Sequence, residues 1–333
     1  MSGPSETNSF LRNVTSCDPG EPNSSQYIKF GFQLAYILPL GFLYGSFLMA
    51  IIKKKKHRDL FGDSFFTLHL VDGFISLFFL FLDVSFFRLT SYIRPACELL
   101  LPLLRDPGFY LTPYFSIYLY TQLTKMLSTL AMNINRYTSV NLPIKHKTIW
   151  MNHCFKVICA IFIIPLFFVW PVAISPSSFV PFNGQTIIIY DHQIPWARTT
   201  YARVLISFIT LVFTVFASIV TSSKLKKLGK HMKNVEFSMN VATLFTSIGF
   251  ILLLTMQVCY LVLHVDTLVS MPWVRMLVIG GTQLGNDFYM LSGPIVLLIL
   301  DKNIRRSTLY RSHKKNDSRR STKVSAQRST AQT

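Results

Sequence analysis

Acidic side chains are scarce in this chain: 15 Asp and Glu stand against 33 Lys and Arg in 333 residues, and charged residues make up only 14% of the whole. A water-soluble domain of this length would need far more polar surface to cover its core, so the scarcity excludes an ordinary soluble fold. Segments of about ten residues with alternating polarity are absent, which excludes a membrane β-barrel. No repeat of solenoid period is present. There is no signal-peptide pattern in residues 1–26, a polar stretch rich in Ser, Asn and Pro, so the first apolar run is expected to act as its own insertion signal. Cysteine is sparse, at five, and no spacing resembles a zinc site. Nor is there a zinc-binding helix motif, a pair of catalytic aspartates in matching apolar runs, or a nucleophile elbow. The chain is therefore read as no enzyme, with no cofactor and no metal.

What it has instead is hydrocarbon. Half of the residues are apolar, and 29 are Phe. A helix crossing a bilayer needs about 20 mostly apolar residues, and seven such runs occur: Phe30–Ile52, Phe65–Phe87, Phe109–Met132, Val157–Ser175, Thr199–Thr221, Phe237–Leu263 and Trp273–Leu300. Runs this long satisfy their backbone groups in lipid as helices. The fold class expected is an all-α membrane protein, a bundle of seven transmembrane helices. Residues 1–27 form a tail outside, 28–300 the bundle, and 301–333 a basic, polar tail inside, disordered by composition.

Orientation follows from the positive charge. With the N-terminus outside, 24 Lys and Arg fall in inner segments and 8 in outer segments or at outer mouths of spans, with Arg88 counted among the latter. The bias fits the positive-inside rule. The basic residues are scattered among short loops beside spans, which reads as contact with anionic lipid head groups and not with nucleic acid. The one cation left over is Lys125, deep in span three. Asn13 and Asn23 open glycosylation sequons in the exterior tail. Cys17 and Cys97 fall in exterior segments, where disulfides persist, and stand either as a bridge or as two thiols. Arg306-Ser307, Arg320-Ser321 and Arg328-Ser329 are candidate phosphorylation pairs in the inner tail.

Ionisable residues inside spans are expensive and usually functional. Four matter: Asp72, Asp83, Lys125 and Asp287. Lys125 precedes Arg136 by about three helical turns, so both share one face. An intramembrane charge cluster of Asp72, Lys125 and Asp287 is expected, with either carboxylate as the partner of the lysine; the competing reading has Lys125 in a watery cleft. The outer half of spans three to seven offers a mixed aromatic and polar lining for a small organic ligand: Tyr114, Tyr118, Gln122, Gln257, Tyr260, His264 and Gln283.

The inner end of span three reads Asn135-Arg136-Tyr137-Thr138-Ser139-Val140, then a short loop, Pro143-Ile144-Lys145-His146, and Trp150. Arg136 stands either as a positive-inside anchor or as a switch that trades helix ends for an intruding partner. This stretch resembles the third-span signature of nematode serpentine chemoreceptors of class gamma. So do the Pro-rich span four (Pro165-Leu166-Phe167-Phe168-Val169-Trp170-Pro171), the basic run Lys224-Leu225-Lys226-Lys227-Leu228 followed by Glu236, and Asn286-Asp287 with Ser292-Gly293-Pro294 in span seven. The resemblance implies a G-protein-coupled chemosensory receptor in the plasma membrane of sensory-neuron cilia. Its partners would be a small-molecule ligand outside and a heterotrimeric G protein inside, contacting Asn135, Arg136, Tyr137, Lys226 and Lys227. Rhodopsin-like features are missing: Asn135 replaces an acidic residue, span six has neither proline nor tryptophan, span seven has no Asn-Pro-x-x-Tyr run, and the loop between spans four and five has no cysteine to bridge to span three. The alternative function is an ion channel or transporter using the mid-membrane Asp and Lys residues, although no inverted repeat or matched broken helices support it. A retinal pump is disfavoured, since span seven has no lysine.

Overall fold

The computed structural model describes residues 23–55, 64–105, 111–182, 185–190, 199–225, 230–262 and 272–300. Span one is α1, Asn23–Lys55. Span two joins α2 (Ser64–Leu82), a π-helical turn at Asp83–Arg88 and α3 (Leu89–Tyr92), and stops where Ile93 turns extended. A further helix, α4 (Arg94–Arg105), occupies the connection between spans two and three. Span three is α5, Leu111–Asn141. Span four is α6 (Pro143–Ile163) with α7 (Leu166–Ala173), and spans five, six and seven are α8 (Thr199–Leu225), α9 (Lys230–Val262) and α10 (Pro272–Leu300).

Among the described residues, Ser24–Met49, Ser64–Tyr92, Pro143–Ala173 and Thr199–Lys224 are long and apolar enough by composition to cross a membrane, and span six holds a shorter apolar stretch, Leu244–Cys259. Span three is diluted by residues such as Thr121, Gln122, Thr124, Lys125, Ser128 and Thr129, all buried. Those polar side chains face protein and not lipid, while Ile117 and Ile134 take the exposed side of the helix. The apolar core takes residues from every span: Phe47 and Leu48, Phe79, Leu123 and Met126, Val172, Ile206, Phe250 and Leu253, Met290 and Leu291. The abundance of phenylalanine is explained on the other side. Phe32, Phe42, Phe155 and Phe167 are 70–79% exposed, the ordinary state of a lipid-facing side chain.

Two connections differ from the sequence-based expectation. The stretch Pro143–His146, expected as a loop, is the first turn of α6, which starts after Leu142 alone. Proline at the first helical position has no N–H to leave unsatisfied and a φ already suited to the helix. The connection between spans four and five carries a hairpin in an otherwise all-α fold: β1 (Ser177–Phe182) pairs antiparallel with β2 (Gln185–Tyr190), Ser177 opposite Tyr190 and Phe182 opposite Gln185. Asn183-Gly184 lies between the strands in sequence, next to the β-branched run Ile187-Ile188-Ile189. That is the strongest short hairpin signal a sequence offers. Thr112 on span three fixes the hairpin's base, accepting from Ser177 N at 3.0 Å and donating to Ser175 O at 3.3 Å.

Candidate functional site

The charge of span two is organised by its π turn. Five residues along an α-helix are roughly 140° apart, so Asp83 and Arg88 would face different neighbours. The wider π turn brings them together: Arg88 Nε donates to Asp83 Oδ2 at 2.5 Å. The other end of the guanidinium grips span seven, with Nη2 to Asp287 Oδ1 at 2.6 Å and Nη1 to Asp287 Oδ2 at 2.9 Å. Nη1 also donates to Gln33 Oε1 on span one. Tyr36 OH donates to Asp287 Oδ2 at 2.5 Å, and Tyr118 OH to Asp83 Oδ1 at 3.2 Å. Arg88 is 0% exposed, Asp83 1% and Asp287 3%. The carbonyls around the turn find hydroxyls: Thr90 donates to those of Phe86 and Phe87, Ser91 to that of Phe87, and Tyr114 to that of Leu82. Spans one, two, three and seven are thus tied at one level.

A second ion pair lies closer to the inner end. Lys125 Nζ donates to Asp72 Oδ2 at 2.6 Å, both residues 3% exposed. Tyr44 OH reaches the same oxygen at 3.4 Å, and Ser76 Oγ donates to the Asp72 carbonyl. The ammonium sits 5.4 Å from the Tyr289 ring centroid. Tyr289 OH donates to Lys125 O at 3.0 Å and lies 2.8 Å from Thr129 Oγ1.

Asp287, grouped with Lys125 on the basis of depth, therefore belongs with Arg88. The reason is helical phase. Residues two apart on a helix point roughly 200° apart. Tyr289 takes the face of span seven against span three, so Asp287 is turned toward spans one and two. Arg88, counted as a residue of the outer mouth, is a core residue; its position at the end of an apolar run hid it.

The expected ligand-lining residues fall into several settings. Gln122 donates to Asn286 Oδ1 at 3.1 Å and accepts from Arg203 Nη1 at 3.4 Å. Gln283 Oε1 accepts from Tyr92 OH at 2.7 Å and from Gln33 Nε2 at 3.1 Å. Tyr114 and Tyr118 stack against Phe86, Phe79 and Phe87. Gln257 is buried with neither amide atom partnered. Tyr260 lies on α9, and His264 lies outside the described residues. Among the described residues, no group of three His, Cys, Asp or Glu could hold a metal ion.

At the inner end Asn135 is buried and donates to Ser64 Oγ on span two at 2.8 Å. Asn133 donates to Thr214 Oγ1 on span five at 2.6 Å. Tyr137 packs between Phe213 and Phe216. Arg136 is half-buried between them in sequence. Trp150 Nε1 donates to Thr138 Oγ1 at 2.8 Å, and His146 Nδ1 lies 3.1 Å from the same oxygen, which fixes the corner between spans three and four. Lys226 and Lys227 lie outside the described residues, as do Asn13 and Cys17; Asn23 is the first residue of α1. Cys97 is disulfide-bonded, while Cys154, Cys159 and Cys259 are free thiols.

Residues 30–308 match the model of the Srg family of chemoreceptors. Among relatives from Caenorhabditis elegans, serpentine receptor class gamma-14 is 30% identical over 90% of this chain and 89% of its own length. Class gamma-4 is 28% identical over 88% and 90%, and class gamma-11 is 25% identical over 97% and 94%. With the family model matched across the whole bundle and relatives aligned along nearly their full lengths, this chain belongs to the Srg family, the serpentine receptors of class gamma.

Proposed function

We propose that this chain is a chemosensory receptor that takes a small molecule from the outside and signals to a heterotrimeric G protein inside. The observation that carries the reading is the buried polar seam along spans three and seven. It is made of three separate sets at successive depths: Tyr118 with Asp83 and Gln283 with Tyr92, then Gln122 with Asn286, then Tyr289, Lys125 and Asp72, with Lys125 on the same helix that ends in Asn135-Arg136-Tyr137. Sets held on the same two helices let an outer event reach the inner face by moving spans three and seven, because paired buried groups exchange partners instead of deforming gradually. The outer lining of Tyr114, Tyr118, Gln122, Gln257, Tyr260, His264 and Gln283 receives the ligand. Asn135, Arg136 and Tyr137, with Lys226 and Lys227, meet the G protein. The protein sits in the plasma membrane with residues 1–27 outside and 301–333 inside, an orientation that the charge bias supports. Cys17 is the expected partner of Cys97, since both fall in exterior segments where disulfides persist. Asn13 is the better glycosylation site, since the apolar span begins one residue after Asn23.

The channel or transporter reading is weaker, because Lys125 with Asp72 and Arg88 with Asp83 and Asp287 answer one another inside the bundle. The test is a small-molecule screen in cells expressing the chain with a promiscuous G protein, with whole-cell current recorded in parallel. A ligand-dependent second-messenger signal without current is expected. Current in cells lacking coupled G proteins would replace the receptor reading with the channel.

A further inference from the structure

Gln257 is buried, and neither its amide nitrogen nor its amide oxygen has a hydrogen-bond partner. Buried polar groups in folded proteins are nearly always paired. Among the described residues it is the one side chain with two stranded atoms.

Helical phase gives its place. On span six, Gly249, Leu253 and Met256 face span seven at Tyr289, Gly285 and Gly281. Phe250 turns off that seam to pack on Tyr289, ring centroids 4.3 Å apart. The Tyr289 hydroxyl reaches Thr129 and the Lys125 carbonyl on span three, so Phe250 looks toward the bundle axis. Gln257 lies two turns beyond Phe250 on the same face. It therefore also looks to the axis, above the Phe250–Tyr289 pair and toward the outer half. One turn below it Leu253 opposes Gly285. The next residue, Asn286, holds Gln122, which in turn accepts from Arg203. The residues directly beneath Gln257, Leu253 and Phe250, are apolar and the Gln122–Asn286 pair is already made, while Gln257 itself is left open.

We propose that Gln257 is the anchor for a small ligand bearing a carboxamide or lactam edge. The stranded pair is one donor and one acceptor on a single planar group. An edge that presents an acceptor beside a donor satisfies both at once. A carboxylate satisfies the nitrogen but sets a second acceptor against the oxygen. An ammonium group satisfies the oxygen and leaves the nitrogen stranded. A site built around a polar edge rejects a ligand that cannot match it. This assignment rests on the receptor reading above for its occupant and goes beyond it in naming the chemistry.

The test uses the full-length chain in lipid nanodiscs, with pentanamide, pentanoate and pentylamine as probes of one carbon skeleton and three head groups. Thermal unfolding is followed with each probe for wild type, Gln257→Leu and Gln257→Met. Without a probe, both variants should unfold at or above the wild-type temperature, because each removes a stranded amide. With a probe, pentanamide should stabilise wild type more than the other two do. Its apparent affinity should fall by about tenfold or more in both variants, the ratio expected from one unmatched buried group. A large drop in the unfolding temperature of both probe-free variants would show that the amide is paired, and would overturn the proposal. So would preference for pentanoate or pentylamine, or equal pentanamide affinity in wild type and variants. Nucleotide exchange on a G protein is scored separately. Gln257-dependent amide binding without exchange upholds the site and counts against the receptor reading. Exchange driven by other compounds without dependence on Gln257 upholds the reading and overturns the site.

Discussion

Arg88 holds a full positive charge at 0% exposure, between two carboxylates that are themselves buried. Removing one member of a buried ionic group typically costs about 3–5 kcal/mol, because the partners are left uncompensated. Arg88→Ala should therefore destabilise the purified protein by about that much. Combining it with Asp287→Asn should recover part of the loss, measured as a double-mutant cycle on thermal unfolding. Arg88→Lys should not substitute, since one ammonium cannot reproduce the fork that reaches Asp83 and both oxygens of Asp287. The inner pair makes a parallel prediction. Lys125→Ala should be rescued by Asp72→Asn and not by Asp287→Asn; rescue by Asp287→Asn would contradict the pairing described here. Lys125 was legible in the sequence as a lone cation within a span, aligned with Arg136. Arg88 was not, because nothing in an apolar run announces a π turn, and without that turn Arg88 reads as an outer-mouth residue. The choice of Asp72 over Asp287 turned on which side of span seven faces span three, which depth alone does not give.

Spans six and seven lie against each other through glycine. A methyl on Gly249 would stand 3.2 Å from the Tyr289 backbone, and one on Gly285 3.2 Å from Leu253. A methyl on Gly281 would come closer still, 2.7 Å, but to Met256 Cε, the far end of a flexible chain. Gly249→Ala should therefore destabilise more than Gly281→Ala, by about 1–3 kcal/mol for the first against less for the second. Denaturation of the two variants side by side checks the order, and the reverse order would mean that span seven can shift away from span six. The seven apolar runs were legible in the sequence because lipid demands unbroken hydrocarbon. The hairpin between spans four and five is written in Asn183-Gly184 and the neighbouring isoleucines, and the start of span four in Pro143. In both cases the local signal lies in turn and capping chemistry, which a search for long apolar runs passes over.

Among the described residues many phenylalanines face outward and a polar seam inward, and the sequence spacing of Lys and Arg puts most of the positive charge in alternate connections. That asymmetry predicts that a tag at the N-terminus is accessible on intact cells and a tag at the C-terminus only after permeabilisation; the opposite result would invert the bundle. Family membership was legible from the Asn135-Arg136-Tyr137 stretch together with the proline landmarks of span four and the lysine run after span five, because each is a short pattern readable without the fold. The ligand was not, because belt aromatics and residues that would line a pocket have the same composition.

The receptor reading itself is tested most directly by nucleotide exchange. The full-length chain in nanodiscs is mixed with purified heterotrimeric G proteins, and uptake of a non-hydrolysable GTP analogue is followed with a compound found active in cells. Uptake above that of empty discs, lost in Arg136→Ala at equal protein amount and equal unfolding temperature, is the expected result. No uptake with any heterotrimer while the same discs pass ions, or full uptake by Arg136→Ala, would contradict it.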